Sequence, residues 1–427
     1  MTEPVENKIR RLTEPFYYKF FLIPRARIRQ YLCIRRIRKV RHARVVFIAS
    51  SLPMWRHQAL LDRIQRDNRF AVTVAIYPFP TMTKDQKDHS IFSLKKFFFN
   101  SGVELIDLSR ESLPGDTLRK KVNPDIIFYP QPYNHLFWND LDNQFFGDKL
   151  ICYIPYGMPL VKTSWIDKNL LSNTAWRLFY HSKKRKEQAQ KILYNQGHNI
   201  RITGDPISDY FNAMAQLKNK TWKTQDHIKK RVIWAPHFSI TAESQLHQNS
   251  FLWLFQSMVE IAEHYKEFIQ FSFKPHPRLF SVLSELPDWG QVRADAYYKA
   301  WIAGENTQLD TGEYIDLFKE SDAMIHDCSS FAAEYHFTGK PVLFTSKKIE
   351  SVFSDLNDFG KEALKAHYIS DSISGIIDFI ENTVLGGVDP KKPERESFYR
   401  KHLCPPNGHS VSENIYNEIL IGLGFDN

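Results

Sequence analysis

At 427 residues, the chain exceeds the length at which one hydrophobic core keeps growing, so its length predicts two domains. Hydrophobic residues make up 43% of the sequence and aromatic residues 14%, which excludes a disordered chain. The net charge of +9 is uneven, because residues 1–44 hold 13 Lys and Arg against 3 Asp and Glu.

The cysteine content and the absence of long apolar runs indicate a cytosolic protein. No uncharged apolar run reaches the roughly 18 residues that a transmembrane helix needs, and no secretion signal begins the chain. The four cysteines form no CxxC pair, so neither zinc nor a disulfide framework is predicted. The Asp-Leu-Asp spacing in "DLDNQ" (140–144) lies in a loop-like stretch, and we predict no metal and no other cofactor.

The N-terminal segment, residues 1–43, is basic and aromatic at near-helical spacing. Its aromatic cluster "FYYKFF" (16–21) precedes cations interleaved with Ile and Leu side chains. This pattern suits the anionic inner face of a cell membrane, to which the protein would bind as a peripheral protein. A solvated helix that packs its apolar stripe on the body is one alternative, and a nucleic-acid arm is another. No nucleic-acid motif accompanies the charge, so we predict no nucleic acid as a partner.

Residues 44–205 alternate between short buried strands and helices. The strands are nearly continuous apolar runs rich in β-branched residues, as expected where both faces of a parallel sheet are covered. The predicted strands are 44–50, 71–78, 103–108, 125–131, 149–157 and 177–182. Helical patterns such as 57–67 separate them, and the alternation predicts a doubly wound parallel sheet.

The same alternation of strands and helices is predicted for residues 231–385, after a polar linker at 206–230. A helical segment follows at 386–427. The predicted strands are 231–237, 268–277, 322–327 and 340–346, and the predicted helices lie near 250–266, 313–320 and 329–338. The sequence therefore predicts an α/β protein in which two doubly wound Rossmann-like domains face a cleft, with a basic helical segment at the N-terminus.

The stretch "SDAMIHDCSS" (321–330) begins as a buried strand and ends in polar residues. In open α/β sheets, ligands bind outside the carboxyl ends of the strands, so Asp327 and the two serines would face a ligand. We expect Ser329 or Ser330 to begin the next helix, where free backbone N–H groups attract anions such as phosphate. The alternative is that the serines only cap the helix.

Two further strand ends carry groups suited to a diphosphate. "WAPHF" places His237 after one strand, and "FKPHPRL" places Lys274, His276 and Arg278 after the next. The prolines keep this second turn extended. A lone histidine is more often structural, but cations and imidazoles beside a helix start stabilise the charge of a departing phosphate. Three such strand ends together favour a binding site.

The ordered motifs resemble the C-terminal domain of the CDP-glycerol glycerophosphotransferase family, the polymerases and primases of teichoic-acid-like chains. The resemblance is carried by "WAPHF", "KPHP" and the run "TGEYIDLFKESDAMIHDCSSFAAEYHFTGKPVLF" (311–344). Upstream, "YIPYGMPLVK" (153–162) is similar to the family's HGTPLK element, and "TGDPISDYF" (203–211) to its G-x-P-R-x-D turn. The resemblance implies a GT-B-like pair of Rossmann domains.

The resemblance also implies a reaction. A hydroxyl of a lipid-linked or surface polysaccharide would attack the distal phosphorus of a CDP-linked alcohol, take up glycerol phosphate or a related group, and release CMP. His276 matches the family's histidine that contacts the donor diphosphate or leaving group. Asp327, Ser329 and Ser330 match its TDYSS block.

The chain also departs from the family pattern. Tyr156 stands where the family has the histidine favoured as general base, followed by Gly157 of the same element, and a tyrosine with pKa near 10 is the poorer base. His135 and His57 are candidate replacements. Cys328 replaces the family's Tyr, and the Arg of the G-x-P-R turn is absent.

Two alternative functions remain open because a fold does not fix a substrate. One is a GT-B glycosyltransferase of capsular polysaccharide assembly that uses a nucleotide sugar. The other is a non-catalytic homologue that binds a nucleotide or a lipid head group, for which loss of the base histidine would be expected.

Overall fold

The computed structural model of the protein describes residues 13–133, 140–142, 144–162, 168–212, 221–240 and 250–425. The chain divides into two units. Unit 1 comprises Met1–Gly157, Thr163–Asp209 and Pro405–Asn427, and unit 2 comprises Met158–Lys162 and Tyr210–Cys404. The sequence treats 386–427 as one helical segment, whereas the structure divides it between the two units.

Unit 1 is built on a sheet of seven parallel strands in the order β3-β2-β1-β4-β5-β6-β7. The strands are β1 (Ala43–Ala49), β2 (Phe70–Ile76), β3 (Glu104–Asp107), β4 (Ile126–Tyr129), β5 (Leu150–Tyr153), β6 (Arg177–Tyr180) and β7 (Ile200–Ile202). In β1, Val45 and Phe47 enter one core while Val46 and Ile48 enter the other. Both faces are therefore buried, which explains the continuous apolar runs.

Seven α-helices of the described chain begin before Tyr210. They are α1 (Ile23–Val40), α2 (Gln58–Gln65), α3 (Lys84–Phe98), α4 (Pro114–Lys121), α5 (Leu170–Thr174), α6 (Lys183–Gln190) and α7 (Ile207–Asn212). A π-helical turn, Tyr18–Leu22, leads into α1. Ile23, Cys33 and Ile37 are the buried side chains of α1. No helix in the described ranges has the length and apolar composition to cross a membrane.

Unit 2 repeats the architecture with six parallel strands in the order β10-β9-β8-β11-β12-β13. The strands are β8 (Lys230–Ala235), β9 (Ile269–Phe273), β10 (Thr307–Leu309), β11 (Ala323–His326), β12 (Val342–Thr345) and β13 (Tyr368–Ser370). Val232 and Trp234 of β8 pack into one core, and Ile233 and Ala235 into the other. The predicted fold class, two parallel Rossmann-like sheets, is confirmed.

Nine described helices follow β8 in unit 2. They are α8 (Phe251–His264), α9 (Leu279–Glu285), α10 (Gly290–Ala303), α11 (Ile315–Glu320), α12 (Phe331–Glu334), α13 (Ile349–Asp355), α14 (Asp358–Lys365), α15 (Ile373–Asp378) and α16 (Lys392–Phe398). α12 has only four residues and continues as a 3-10 turn, Tyr335–Thr338, so the predicted helix at 329–338 is α-helical only in part.

The last helix, α17 (Val411–Leu423), completes unit 1. Its apolar side chains belong to the same core as β1: Val411, Ile415, Ile419 and Leu423. Arg63 of α2 pairs with Glu413 at 2.7 Å, and Tyr416 donates its hydroxyl to Asp67 at 2.6 Å. The final helix is therefore part of the first unit's core.

Candidate active site at the carboxyl edge of the second sheet

The central strands of the second sheet bring together the residues singled out in the sequence. β8 lies between β9 and β11, so the carboxyl ends of the three strands are neighbours. Backbone pairing continues past the strands, because Lys274 N–H donates to Trp234 O at 2.8 Å and His276 N–H to Pro236 O at 3.0 Å. This pairing holds the KPHP turn beside the segment that carries His237.

The buried carboxylate of Asp327 stabilises this edge of the sheet through hydrogen bonds. It has no exposed surface, and its Oδ1 accepts a hydrogen bond from His237 N–H at 2.6 Å. Its Oδ2 accepts from both N–H and Oγ–H of Ser250, each at 2.7 Å. Burial raises the pKa of the Asp327 carboxyl, and the hydrogen bonds from Ser250 and His237 oppose that rise. Both oxygens are thus occupied in tying the end of β8 to the start of α8.

The rings of His237 and His276 lie with centroids 5.0 Å apart. Backbone N–H groups donate to their Nδ1 atoms, from Ser239 at 3.2 Å and from Arg278 at 3.1 Å. An Nδ1 that accepts leaves the proton of a neutral imidazole on Nε2, so each ring has an Nε2–H donor. Burial, reinforced by Arg278, lowers the pKa of His237 to about 3 and that of His276 to about 4. Both are neutral donors at pH 7.

The ring of Phe238 packs against Arg278, the cation beside the two histidines. The Arg278 guanidinium lies over the Phe238 ring at 4.4 Å from its centroid, and the same ring contacts that of His276 at 4.4 Å. Within the described ranges no carboxylate pairs with Arg278, which is exposed. Its positive charge therefore remains available to a ligand beside two N–H donors. The sequence analysis did not single out Phe238, although its place directly after His237 was a usable signal.

The Lys274 side chain makes its hydrogen bonds to groups of the protein itself. It is 7% exposed, and its Nζ donates to Asp310 Oδ1 at 3.1 Å and to Gly312 O. Burial lowers the pKa of the lysine, while Asp310 acts in the opposite direction. Lys274, which was predicted as a cation that binds the ligand, thus holds the segment after β10 in place.

The serines after β11 do not form the expected cap. Ser330 precedes α12, but its hydroxyl lies 3.1 Å from Cys328 Sγ and makes no side-chain cap bond. Ser330 is exposed and Ser329 partly so. Burial raises the pKa of the Cys328 thiol to about 11, so this residue is an inert thiol. A four-residue helix has little dipole, and what this corner offers a ligand is hydroxyl groups.

The residues predicted in unit 1 lie in separate places. Tyr156, which follows β5, is 48% exposed, and Gly157 comes next to it. His57 precedes α2, is 3% exposed, and packs its ring against those of Trp55 and Phe47. Burial lowers the pKa of His57 to about 4. His135 lies outside the described residues.

A second group of histidines beneath this edge escaped the sequence analysis. His326, His336 and His367 are buried, with ring centroids of His367 at 5.3 Å from His326 and 4.8 Å from His336. We call them the three-histidine cluster. They come from β11, the 3-10 turn and the segment before β13, so no local spacing reveals them. In the part of the chain that is described, no three His, Cys, Asp or Glu side chains are arranged to hold a metal ion.

Comparison with solved structures places this geometry in a known fold. Wall teichoic acid polymerase TagF is similar over 98% of both chains, with a TM-score of 0.59 and 12% identity. The chain has the GT-B fold. UDP-GlcNAc 2-epimerase from Neisseria meningitidis bound to UDP-GlcNAc matches 88% of this chain and 99% of its own (TM-score 0.56, 17% identity), and S. aureus MnaA with UDP matches 90% and 98% (0.57, 13%).

No family model and no curated protein sequence matches this GT-B chain. The identities to the solved structures are low, so these likenesses establish the fold, which polymerases and epimerases share.

Proposed function

We propose that the protein transfers glycerol phosphate, or a related alcohol phosphate, from a CDP-linked donor to a lipid-linked or surface polysaccharide and releases CMP. The observation that carries the proposal is the pair of neutral histidines, His237 and His276, each with its proton on Nε2 and both beside the exposed Arg278. Two donors and one cation at a carboxyl sheet edge suit a diphosphate.

In the proposed reaction, the oxygen of an acceptor hydroxyl attacks the phosphorus that bears the alcohol. A new P–O bond forms, the bond to the bridging oxygen breaks, and CMP departs with the electron pair. Such phosphoryl transfers depend mostly on positioning and on stabilising charge at the phosphate oxygens. His276 and His237 donate hydrogen bonds to the diphosphate, and Arg278 offsets the charge that develops on the leaving group.

The remaining residues of the edge divide into ligand contacts and supports. Ser329 and Ser330 offer hydroxyl groups to the donor. Asp327 and Lys274, which the sequence analysis expected to bind substrate, act as positioning residues because protein groups satisfy both of them. Asp327 sets the position of His237, and Lys274 fixes the segment after β10.

We assign the acceptor to unit 1, where Tyr156 and Gly157 occupy the place of the family's HGTPLK element. The half-exposed phenol of Tyr156 accepts the proton of the attacking hydroxyl while its own proton passes to water. In this role the phenol is a proton relay between the acceptor and water.

A membrane-bound acceptor is supported by the surface of the N-terminal helix. Phe16, Phe20 and Phe21 are each 65% exposed, and Tyr31 is 62% exposed, although the opposite face of the helix is buried in unit 1. Exposed cations accompany these apolar groups: Lys19, Arg25, Arg27, Arg35, Arg36, Arg38 and Lys39. Aromatic side chains with flanking cations bind the interface of an anionic bilayer, which supports a peripheral position on the inner face of the membrane.

Calorimetric titration tests the proposal. Wild-type protein is titrated with CDP-glycerol, CMP and a UDP-sugar, beside His276→Ala and a control, His264→Ala, which removes an exposed histidine of the same unit. Loss of one charge-assisted contact lowers affinity by roughly tenfold or more. We expect His276→Ala to weaken CDP-glycerol binding by that factor and His264→Ala to leave it unchanged.

The other outcomes discriminate between the alternatives. Preference for the UDP-sugar would favour a nucleotide-sugar transferase; of the similar structures, one contains UDP and another UDP-GlcNAc. Tight binding of CDP-glycerol with no CMP release in the presence of lipid-linked acceptor would favour the non-catalytic homologue. No nucleotide binding at all would overturn the proposal.

A further inference from the structure

A cavity of about 120 Å³ lies in unit 1, between α1 and the polypeptide on either side of β6. It is lined on the helix side by Ile23, Ala26, Arg27 and Gln30. The opposite wall is formed by residues 173–177 with Asn195, His198 and Asn199. The donor-site residues belong to unit 2, so this cavity is distinct from the candidate active site.

Hydrogen bonds of asparagine side chains hold the opposite wall of the cavity together. Asn195 Nδ2 donates to Asn199 Oδ1 at 2.9 Å, and Asn173 Oδ1 accepts the N–H of Tyr194 at 2.7 Å. Asn199 Nδ2 donates to Ala175 O at 3.0 Å. These amides are occupied by protein groups. They form a frame, and the cations that line the cavity are Arg27 and Arg177.

Arg177 is a partly buried cation whose Nη1 donates to Trp176 O at 3.3 Å and on which the charge of Glu418 acts without an ion pair. Its guanidinium lies 4.8 Å from the centroid of the Trp176 ring, and its Nε is buried without a hydrogen-bond partner. Burial lowers the pKa of Arg177, and the nearby charge of Arg201 adds to that effect. No described carboxylate forms an ion pair with Arg177, and Arg201 is itself paired with Glu418 at 2.9 Å.

Helix α17 holds this guanidinium in place. A Cβ atom at Gly422 would lie 2.5 Å from Trp176 and 3.0 Å from Nη2 of Arg177, so both side chains press against the helix backbone. Arg27, from α1, supplies a second cation to the cavity, and no described acid pairs with it either. An anion in the cavity would supply the hydrogen-bond acceptor that the buried Nε of Arg177 lacks.

We propose that this cavity binds a phosphate group. The planar guanidinium matches the oxygens of phosphate in a bidentate geometry, and arginine is the side chain most suited to that pairing. The volume fits a single phosphate with a short substituent, since pockets for larger ligands measure roughly 300 Å³ or more. The phosphate belongs either to a lipid head group, because the exposed aromatic residues Phe20 and Phe21 lie in the turn directly before α1, or to a free phosphate ion. The site does not depend on the proposed transferase function.

Inorganic phosphate is the first probe, titrated by calorimetry into the full chain without nucleotide. Arg177→Gln and Arg27→Gln are compared with Arg25→Gln, which removes an equal charge from an exposed position of the same helix outside the cavity. We expect Arg177→Gln to weaken phosphate binding by roughly tenfold or more, Arg27→Gln to weaken it by a smaller factor, and Arg25→Gln to leave it unchanged.

Vesicle sedimentation distinguishes the two sources of phosphate. The probe is phosphatidylcholine vesicles with and without phosphatidylglycerol. A larger loss of binding to the anionic vesicles for Arg177→Gln than for Arg25→Gln assigns the site to a head group. Equal losses, together with arginine-dependent binding of inorganic phosphate, assign it to the free ion.

Failure of the wild type to bind either probe would overturn the proposal, as would equal effects of all three variants in both experiments. Thermal unfolding checks that Arg177→Gln is folded. Should it not fold, the comparison of Arg27→Gln with Arg25→Gln decides, because both positions are exposed.

Discussion

Asp327 holds two elements together through one buried carboxylate. Its oxygens accept three hydrogen bonds from His237 and Ser250, and a buried acceptor with three donors stabilises the fold most when every bond is made. Removing it leaves three donors buried without partners. The same residue therefore affects both the stability of unit 2 and the place of a candidate catalytic histidine.

We expect Asp327→Ala to lower the free energy of unfolding of unit 2 by about 3 kcal/mol, because each unsatisfied buried donor costs roughly 1–3 kcal/mol. Denaturant titration measures the change. Asp371→Ala, at an exposed position, serves as the control and should change stability by about 0.5 kcal/mol or less. A loss below about 1 kcal/mol for Asp327→Ala would contradict this account of the site.

Sequence reasoning pointed to the residues of the candidate site but not to the protonation and hydrogen bonding that the structure gives them. His237, His276 and Arg278 follow predicted strands, and the adjacency of parallel strand ends brings them together. The proton on Nε2 depends on backbone N–H groups two residues away, and turn geometry at that detail is invisible in a sequence. Likewise, Lys274 looks free in "FKPHPRL" because its partner, Asp310, lies at the end of another strand.

At the scale of elements, the central strands were predictable and three edge or near-edge strands were not. β7, β10 and β13 each have three residues, too few for a periodicity to be recognised. Their sequences, "IRI", "TQL" and "YIS", mix polar and apolar residues because each is only partly covered. Strands such as β1, with seven residues and two buried faces, carry a far stronger signal.

The three-histidine cluster links β11 to the turn after α12 and to the end of α14. Burial lowers the pKa of His326 and of His336 to about 3, and that of His367 well below its usual value. Arg395 of α16 adds to the effect on His336 and His367. The backbone groups of Cys328 and Ala363 bond one nitrogen of each ring, and these rings are neutral in the folded protein.

We expect the free energy of unfolding to be constant above about pH 7 and to fall as the pH drops from 6.5 toward 3. The unfolded histidines take up protons near pH 6.5 while the folded ones do not, so each contributes a slope of about 1.4 kcal/mol per pH unit. Denaturant midpoints across this range measure it. His336→Gln should reduce the slope by the contribution of one proton, about 1.4 kcal/mol per pH unit. His264→Gln, a change at an exposed histidine, should leave the slope unchanged. An unchanged slope in His336→Gln would exclude the cluster as its source.

At the scale of the molecule, charge is separated along the chain. The first 44 residues carry a net charge of +10 and the remaining residues −1, and the aromatic side chains Phe16, Phe20 and Phe21 of this segment are exposed. The body is close to neutral, so it adds little attraction to an anionic surface. The proposed membrane binding would therefore be made through this N-terminal segment.

We predict that Arg25→Gln, Arg35→Gln and Lys39→Gln together weaken binding to phosphatidylglycerol vesicles by roughly a hundredfold, since each cation contributes about 1 kcal/mol near an anionic surface. Sedimentation at constant salt measures the change.

The matched control removes three exposed lysines of unit 2, Lys299, Lys365 and Lys392. Equal losses in both triple variants would show that total charge, and not the N-terminal helix, determines binding.

The return of α17 to the first unit has a consequence for biosynthesis. Val411, Ile415 and Ile419 fill the core against β1, so that core has a gap until residues 411–425 have been translated. By then all of unit 2 has been translated. The unit whose strands are synthesised first is therefore the one whose core is completed last, and its seven-stranded sheet lacks the cover of α17, exposed to chaperones and proteases, while residues 210–404 are translated.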